Sequence, residues 1–184
     1  MEDQRALNDW RSLRITGHDL VLRAWRDDDL PVMVELFDDP QVAFRTPLAS
    51  PFTLRAAREY LDQARLHHTT GRHLQLAITQ GGDPKGEVRI NLSTGGISYI
   101  VGAAHRGQRL ATRALLLMTE YAHQTLGLPQ VLLEIELDNH PSIAVAEAAG
   151  FALTDRLPEV VTTQARSYSL YTWCHQASER FPGF

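Results

Sequence analysis

The sequence is poor in the residues that build disulfides and metal sites. Cys174 is the only cysteine among 184 residues. A single thiol excludes an intramolecular disulfide and a cysteine-based zinc site, which fits a reducing, cytoplasmic environment. The histidines show no metal-ligand spacing, so we expect no metal. Neither a run of about 18 apolar residues nor a basic N-terminus followed by an apolar stretch occurs, and we therefore expect no membrane insertion and no secretion.

Positive charge and known nucleotide-binding motifs are also lacking. The chain carries 18 basic and 22 acidic residues, a formal net charge of −4. This balance gives no general attraction to nucleic acid and suits a neutral or cationic partner. The motifs GxGxxG and GxxxxGK[ST] are both absent, which disfavours a nucleotide-phosphate-binding enzyme of another fold.

The length and composition suit one ordinary domain. Apolar residues make up 43% of the chain, enough for a sizeable core. No internal repeat, low-complexity tract or long Pro/Gly/Ser linker divides it. We expect residues 1–13 to form an N-terminal arm and residues 14–184 to form a single domain.

Hydrophobic periodicity predicts alternating strands and helices. The predicted strands are 20–25, 73–79, 87–92, 97–101, 131–137, 151–154 and 166–173. The predicted helices are 28–38, a second from Thr53 to Gly71, 108–126 and 141–149, and a turn is expected at 81–84. This order predicts a mixed α/β fold with antiparallel hairpins at both ends, and not a repeating Rossmann series.

The segment ISYIVGAAHRGQRLATRALLLM, residues 97–118, is the most informative part of the sequence. A strand runs through Gly102 and a polar turn into the longest predicted helix. Free backbone N–H groups and the helix dipole favour a phosphate at such a helix start. Arg106 and Arg109 add positive charge, and Gly107 allows close approach. The alternative is an ordinary strand-to-helix connection with surface arginines.

Within this segment, HRGQRLAT (residues 105–112) resembles the coenzyme A pyrophosphate loop of the GCN5-related N-acetyltransferases (GNAT). That pattern is Arg or Gln, two residues, Gly, one residue, then Gly or Ala. Arg106 and Ala111 match, but Arg109 occupies the position of the middle glycine. Its side chain either contacts the pyrophosphate or 3′-phosphate, or crowds the loop. We favour binding, on the expectation that Arg109 has helical geometry, which does not require glycine.

The resemblance implies that the loop binds the coenzyme A phosphates, and it names the residues concerned. They are Arg106, Gly107, Gln108, Arg109, Leu110, Ala111 and Thr112. His105 either binds phosphate or faces solvent.

A second stretch, LDNHPSIAVAEAAGF at residues 137–151, resembles the family's next strand, Asn, helix and Gly-Phe. The resemblance implies that Asn139 and Ser142 contact the pantetheine arm. It also implies that backbone groups of Ile100 and Val101 pair with pantetheine between two splayed parallel strands, 97–101 and 131–137. Read alone, Asn139 is equally an ordinary helix cap.

The resemblance covers about residues 14–175. Residues 20–42 resemble the opening strand and helix of the ribosomal-protein N-terminal acetyltransferase-like (RimJ/RimL-type) branch, and GEVRINL resembles its third strand. The resemblance implies a mostly antiparallel sheet with splayed central parallel strands flanked by helices. The region 38–72 is expected to form the acceptor wall.

Catalytic roles follow from the same resemblance. A neutral amine attacks the thioester directly, so one group must take a proton and another must protonate the departing thiolate. Many members use a Tyr seven residues after the Asn, where this chain has Ala146. Ser142 matches the acid of the RimJ/RimL-type branch, although it equally stabilises a helix start.

Three carboxylates are candidates for the base, acting through a water molecule. Glu87 lies on the polar face of its strand, and Glu134 and Glu136 share a face on the strand bordering the cleft. We take Glu87 and Glu136 as the predicted catalytic carboxylates, against the alternative that strand carboxylates are merely solvated. Tyr99 is interpreted as a packing aromatic.

The predicted function is an N-acyltransferase that moves an acetyl or other acyl group from acyl-CoA to a primary amine of a small molecule or peptide N-terminus. The alternative is a non-catalytic acyl-CoA-binding module, motivated by Arg109 and Ala146. The C-terminal aromatics Tyr168, Tyr171, Trp173 and Phe181 suit a homodimer contact, and equally a packed core.

Overall fold

The computed structural model describes residues 10–163 and 166–178. Residues 1–9 of the expected N-terminal arm, and Phe181, lie outside the described residues. Within the described ranges, no helix has the length and hydrophobicity needed to cross a membrane.

Nine strands and five α-helices make up the described fold. The strands are β1 Arg14–Gly17, β2 Leu20–Ala24, β3 His73–Gln80, β4 Asp83–Asn91, β5 Ile97–Val101, β6 Gln130–Ile135, β7 Ala152–Leu153, β8 Glu159–Thr162 and β9 Ser167–Gln176. The helices are α1 Leu30–Phe37, α2 Pro40–Arg45, α3 Leu54–Thr69, α4 Leu110–Gln124 and α5 His140–Ala148. Short 3-10 turns at Asp27–Asp29 and Ala103–His105 precede α1 and α4.

The strands form two sheets that touch at one point. Strands β1 to β5 make a five-stranded antiparallel sheet in chain order. The second sheet has the order β6-β9-β7, and β8 also pairs with β9. A single parallel bridge, Gly96 to Leu132, joins them, and β5 and β6 diverge beyond it. The predicted mixed α/β fold with splayed parallel strands is therefore confirmed.

Helices cover the sheets on both sides and divide the core into two clusters. Helices α4 and α5 pack over one cluster, which includes Leu76, Ile90, Leu115 and Met118. Helices α1 and α3 pack on the other face, around Trp25, Phe37 and Phe52. Consistent with this arrangement, alternate residues of the central strands β3 and β4 face different helices.

The largest difference from the sequence prediction concerns the segment 28–45. Asp27–Asp29 form a 3-10 turn and α1 ends at Phe37, but a second helix, α2, starts immediately at Pro40. The Asp39 carboxylate accepts hydrogen bonds from the N–H groups of Gln41 (2.8 Å) and Val42 (3.0 Å). Proline at the first helical position needs no N–H partner, so the Asp39-Pro40 pair that ends one helix begins the next.

Two unpredicted strands and the start of β4 also differ from the prediction. Strands β1 and β8 are short and were not predicted. Strand β4 starts at Asp83, because only Gly81 and Gly82 form the turn, with φ values of 66° and 97°. Positive φ at both central residues is the geometry of a two-residue hairpin, which leaves Asp83 and Pro84 in the strand.

Gly86 sets how closely β4 and β5 approach. A Cβ at this position would lie 2.2 Å from the carbonyl oxygen of Ile100 and 3.1 Å from the Cα of Val101. These are backbone atoms, so no side-chain rotation relieves the overlap. We expect Gly86→Ala to lower the free energy of unfolding, measured in urea, by about 1–3 kcal/mol. Ser98→Ala, at an exposed position of β5, should change it by less than about 0.5 kcal/mol; equal losses would contradict this account.

Candidate active site

A cleft of about 1040 Å³ opens where β5 and β6 diverge. Its walls come from α2, β5, the loop before α4, the first turn of α4, β6 and the start of α5. Nearly all of the predicted cofactor-binding residues line it: Ile100, Val101, Arg106, Gly107, Arg109, Leu110, Ala111, Thr112, Asn139 and Ser142. Gln108 is exposed but is not part of the lining, and its carbonyl accepts a hydrogen bond from Arg113 at 3.4 Å.

The loop before α4 presents a row of unpaired backbone donors. In the described part of the chain, no N–H group of residues 107–112 donates to a carbonyl or side chain, whereas Arg113 closes the first helical bond onto Arg109 at 3.0 Å. Residues 106–109 are exposed. Unpaired N–H groups at the positive end of a 15-residue helix form a site suited to an anion.

Arg109 adopts a conformation that the sequence analysis did not anticipate. It is the N-cap of α4, with φ 56° and ψ 22°, in the left-handed region. The expectation of ordinary helical geometry is therefore wrong. A non-glycine residue in this region is strained by roughly 1–2 kcal/mol, so the position does favour the glycine that the family pattern places there. Gly107, with φ 78°, supplies a second left-handed turn two residues earlier.

Arg106 is held by the protein itself. Its guanidinium donates to Gln41 Oε1 at 3.0 Å, to Asp39 Oδ1 at 3.2 Å and to the carbonyl of Val101 at 3.3 Å. The side chain thus connects the loop to the start of α2. A phosphate bound at this loop would meet Arg106 as a neighbour already paired with a carboxylate.

Asn139 and Ser142 lie together at the start of α5. Asn139 Oδ1 accepts the N–H of Ser142 at 3.4 Å, a cap interaction, and both residues line the cleft. Tyr99 also lines the cleft, and its hydroxyl lies 3.5 Å from the carbonyl of Ser142. Burial raises the pKa of Tyr99. Ala146 is fully buried and presents no proton donor.

The structure places Glu87 outside the cleft. Its side chain is 3% exposed and accepts hydrogen bonds from Trp25 Nε1 at 2.8 Å and Tyr60 Oη at 2.6 Å. Burial raises the pKa of Glu87, and the bonds from Tyr60 and Trp25 offset part of that rise. The alternation of residues along β4 correctly places Glu87 opposite the apolar face of the strand. Helices α1 and α3, however, cover the face on which Glu87 lies. A base inaccessible to the acceptor cannot take its proton, so this geometry argues against Glu87 as the base.

Glu136 is engaged by two arginines. Arg166 pairs with both of its oxygens, and Arg45 lies 3.0 Å from Oε1. The hydrogen bonds from Arg166 lower the pKa of Glu136; burial opposes this, and Arg45 lowers it further. These ion pairs connect α2 to the residue that follows β6 and to the residue that precedes β9. A carboxylate neutralised in this way is a poor proton acceptor.

The sequence pattern does not single out two further residues of the cleft, Glu134 and Phe44. It gives Glu134 as one of three equivalent strand carboxylates, and it places Phe44 only within the expected acceptor wall. Both line the cleft, Phe44 with half of its surface exposed. The sequence pattern does indicate that Glu134 points outward from the strand bordering the cleft. That Glu134 has no arginine partner among the described residues depends on tertiary structure.

The buried state of Glu87 predicts a pH-dependent stability. Because its pKa is raised in the folded protein, its contribution is fully present below its ordinary pKa of 4.5 and is lost as pH rises through the folded value. Each unit of increase corresponds to about 1.4 kcal/mol. We expect the free energy of unfolding to fall less in Glu87→Gln, which cannot ionise, than in the wild type as the pH is raised from 4.5 to 8.

This is measured by urea unfolding across that pH range. Glu35→Gln, an exposed position on α1, serves as the control and should follow the wild-type profile. Parallel profiles for Glu87→Gln and the wild type would contradict the assignment of a raised pKa.

Comparison with known proteins identifies the family. The sequence matches the profile of the Acetyltransferase (GNAT) domain over residues 19–152, which is most of the chain. No curated protein matches in sequence.

Solved structures with the same fold include several acetyltransferases. RimL, a ribosomal-protein alpha-N-acetyltransferase in complex with coenzyme A, has a TM-score of 0.74 at 19% identity, over 89% of this chain and 98% of that one. RimJ from Mycobacterium smegmatis, with coenzyme A disulfide, has a TM-score of 0.75 at 20% identity, over 89% of this chain and 84% of that one. A chimera of spermidine N-acetyltransferase SpeG from Vibrio cholerae has a TM-score of 0.70 at 18% identity, over 86% of this chain and 95% of that one.

At these identities the structural likeness establishes the fold, and the family follows from the profile match. The anion site at the start of α4 and the cleft between β5 and β6 agree with both. The chain belongs to the GNAT acetyltransferase family, whose enzymes use acyl-CoA as a co-substrate.

Proposed function

We propose that this enzyme transfers an acetyl group, or another acyl group, from acyl-CoA to a primary amine of a small molecule or a peptide N-terminus. The observation that carries the proposal is the row of unpaired N–H groups at residues 107–112, located at one end of the cleft. An acyl carrier with a pyrophosphate at one end and a thioester at the other fits such an arrangement.

The donor end of the cleft supplies the binding. The N–H groups of residues 107–112 donate to the pyrophosphate, and Arg109 adds an unpaired positive charge beside them. The pantetheine arm runs along the free edge of β5 at Ile100 and Val101, as an added strand would. Asn139 and Ser142 border it from the opposite wall.

The chemistry takes place where β5 and β6 diverge. The neutral amine nitrogen attacks the thioester carbonyl carbon, a C–N bond forms, the C–S bond breaks, and the proton that the nitrogen loses balances the proton that the thiolate gains. Positioning the two reactants together supplies much of the acceleration, up to about 7–11 kcal/mol in favourable cases. Ser142 provides the proton for the departing thiolate, a role supported by its place in the cleft and by the buried alanine at position 146.

The acceptor is held between α2 and β6. Phe44 and Thr46 come from the α2 wall, and Ser98 and Glu134 come from the strands. Among proteins of the same fold, one is named for a polyamine and another for a protein N-terminus. Both acceptor classes are therefore retained in the proposal.

Acetyl-CoA binding and the role of Arg109 are tested together by calorimetry. We expect saturable binding to the wild type, and about tenfold weaker binding to Arg109→Gly and Arg109→Ala, since about 1.4 kcal/mol of charge-assisted contact is lost. Arg109→Lys retains the charge and should bind close to the wild-type value. If Arg109 instead crowds the loop, Arg109→Gly binds more tightly than the wild type.

The two uncharged variants also separate charge from backbone strain. Arg109→Gly should unfold at a higher temperature than Arg109→Ala, because only glycine relieves the left-handed φ. No binding of acetyl-CoA by any of the proteins would overturn the proposed function. Binding without turnover across a panel of amines would favour a non-catalytic acyl-CoA-binding module.

Ser142 is tested by turnover. We expect Ser142→Ala to lower kcat at least about tenfold, because general acid catalysis typically contributes 10²–10⁴-fold and solvent replaces part of it. Calorimetry should give an acetyl-CoA Kd within about twofold of the wild type. A matched change at the helix surface, Ala148→Ser, should leave both quantities unchanged. Unaltered kcat in Ser142→Ala would remove Ser142 from the mechanism.

A further inference from the structure

Tyr99 on β5 lies between the cleft and the core. It is partly buried, packs against the core cluster beneath α4 and α5, and lines the cleft. The next residue, Ile100, packs against the other cluster, around which α1 and α3 lie. Successive side chains of a strand point to opposite faces, so Tyr99 is directed toward α5. Its hydroxyl lies 3.5 Å from the carbonyl oxygen of Ser142, at the start of that helix.

The position of Tyr99 along β5 corresponds to the thioester end of the acyl carrier. Strand β5 runs from Ile97 to Val101, and the chain then enters the loop before α4. In the proposed function the phosphates bind that loop, and the pantetheine arm passes Val101 and then Ile100. Tyr99 is the next residue in the same direction, so the sulfur of the carrier reaches the level of its side chain.

The Tyr99 hydroxyl also lies beside the turn of α5 from which a tyrosine extends in many family members. The resemblance places that tyrosine seven residues after Asn139, where this chain has the fully buried Ala146. In an α-helix the carbonyl of Ser142 accepts the N–H of the residue four positions later, which is Ala146. A hydroxyl 3.5 Å from this carbonyl is therefore adjacent to the backbone of Ala146. Tyr99 thus brings a phenol from β5 to the turn of α5 that lacks one.

The side chains of Tyr99 and Ser142 form a pair of hydroxyls. Burial raises the pKa of Tyr99, a side-chain hydrogen bond with Ser142 lowers it, and no charged side chain of the described residues contributes. Because the net pKa lies above its ordinary value of 10.0, Tyr99 keeps its proton at neutral pH and remains a hydrogen-bond donor. A serine hydroxyl can accept one hydrogen bond while it donates another.

We propose that Tyr99 is a positioning residue that acts through Ser142: its hydroxyl donates to Ser142 Oγ, which directs the Ser142 O–H at the sulfur of the acyl carrier. This inference rests on the proposed function, in which Ser142 protonates the departing thiolate. When the C–S bond breaks, its electron pair stays on sulfur and the Ser142 proton moves to it. The proton that the amine nitrogen loses then replaces the proton of Ser142, and Tyr99 keeps its own. Hydrogen bonds in a chain polarise one another, so the donor at Tyr99 strengthens the Ser142 hydroxyl as a donor.

Bound coenzyme A provides a readout that needs neither an amine nor turnover, because its thiol occupies the position of the departing sulfur. A hydroxyl that donates to the thiolate lowers the pKa of that thiol. The charged and titratable side chains of the lining other than Tyr99 are the same in every variant below, so differences in the thiol pKa report the two hydroxyls. Those side chains are Arg45, His105, Arg106, Arg109 and Glu134.

The test titrates the protein saturated with coenzyme A that carries ¹³C at the carbon bonded to sulfur, whose NMR shift reports ionisation of the thiol. We expect the acidity of the thiol to fall about tenfold in Ser142→Ala and about threefold in Tyr99→Phe. The double variant should match Ser142→Ala alone, since Tyr99 acts through Ser142. Additive effects, or a wild-type thiol pKa in Tyr99→Phe, would overturn the proposal.

Two further variants serve as controls. Tyr121 is a partly buried tyrosine on α4 outside the cleft lining, so Tyr121→Phe should leave the thiol pKa at the wild-type value. Ser142→Thr keeps a hydroxyl at position 142 and should restore the dependence on Tyr99. Tyr99→Phe retains the ring that packs in the core, and we expect its melting temperature to stay near that of the wild type. Equal effects of Tyr121→Phe and Tyr99→Phe would indicate a general packing effect and overturn the proposal.

Turnover separates this inference from the proposed function. With an amine that the wild type acetylates, Tyr99→Phe should lower kcat about threefold, while KM for the amine and Kd for acetyl-CoA stay within about twofold. The expected thiol acidities without turnover on any amine would support the hydroxyl pair and contradict the transferase. Turnover with the same thiol pKa in all variants would support the transferase and overturn the role of Tyr99. Absence of coenzyme A binding would overturn both.

Discussion

The divergence of β5 from β6 is the constraint on which the site depends. The two strands meet at one parallel bridge, between Gly96 and Leu132, where the N–H of Leu132 donates to Gly95 at 3.0 Å. Beyond it each strand follows its own sheet, so the backbone groups on the facing edge of β5 have no strand partner in the part of the chain that the structure describes. Because the chain leaves β5 and enters α4 within nine residues, the opening and the positive end of the helix lie at the same place. One interrupted pairing thus places an open slot between the strands next to the unpaired N–H groups at the start of α4.

The middle glycine of the family's loop pattern indicates a left-handed backbone conformation, and Arg109 shows that conformation here. Its φ of 56° shows that the fold imposes a left-handed residue immediately before α4, whichever side chain is present. Arginine accepts strain of roughly 1–2 kcal/mol at this position. In exchange it places an exposed charge beside the unpaired N–H groups, while Arg106, the arginine that matches the family pattern, is already bound to Asp39 and Gln41.

Local patterns predicted the elements that have strong local signals. Ile97–Val101 was predicted with the observed bounds, since it lies between two glycine-containing turns. The six-residue helix α2 was missed because Asp39-Pro40 reads as a stop, although the same two residues cap a new helix. The left-handed conformation of Arg109 could not be read from a side chain that normally avoids it. In both cases the local pattern allows two conformations: an Asp-Pro pair can end or begin a helix, and an arginine seldom but not never adopts a positive φ.

The three candidate carboxylates show the same limit at the level of chemistry. Alternation placed Glu87, Glu134 and Glu136 on polar faces of their strands, and at that level they were equivalent. Packing makes them different: helices bury the first, two arginines neutralise the third, and the second accepts a threonine hydroxyl and has no ion-pair partner among the described residues. Because Coulomb interactions and desolvation depend on partners a few ångströms away, identical residue types on equivalent strand positions acquire different proton affinities. The lining of the cleft thereby separates its charges: arginines lie beside the start of α4, and Glu134 on β6 has no ion-pair partner among the described residues.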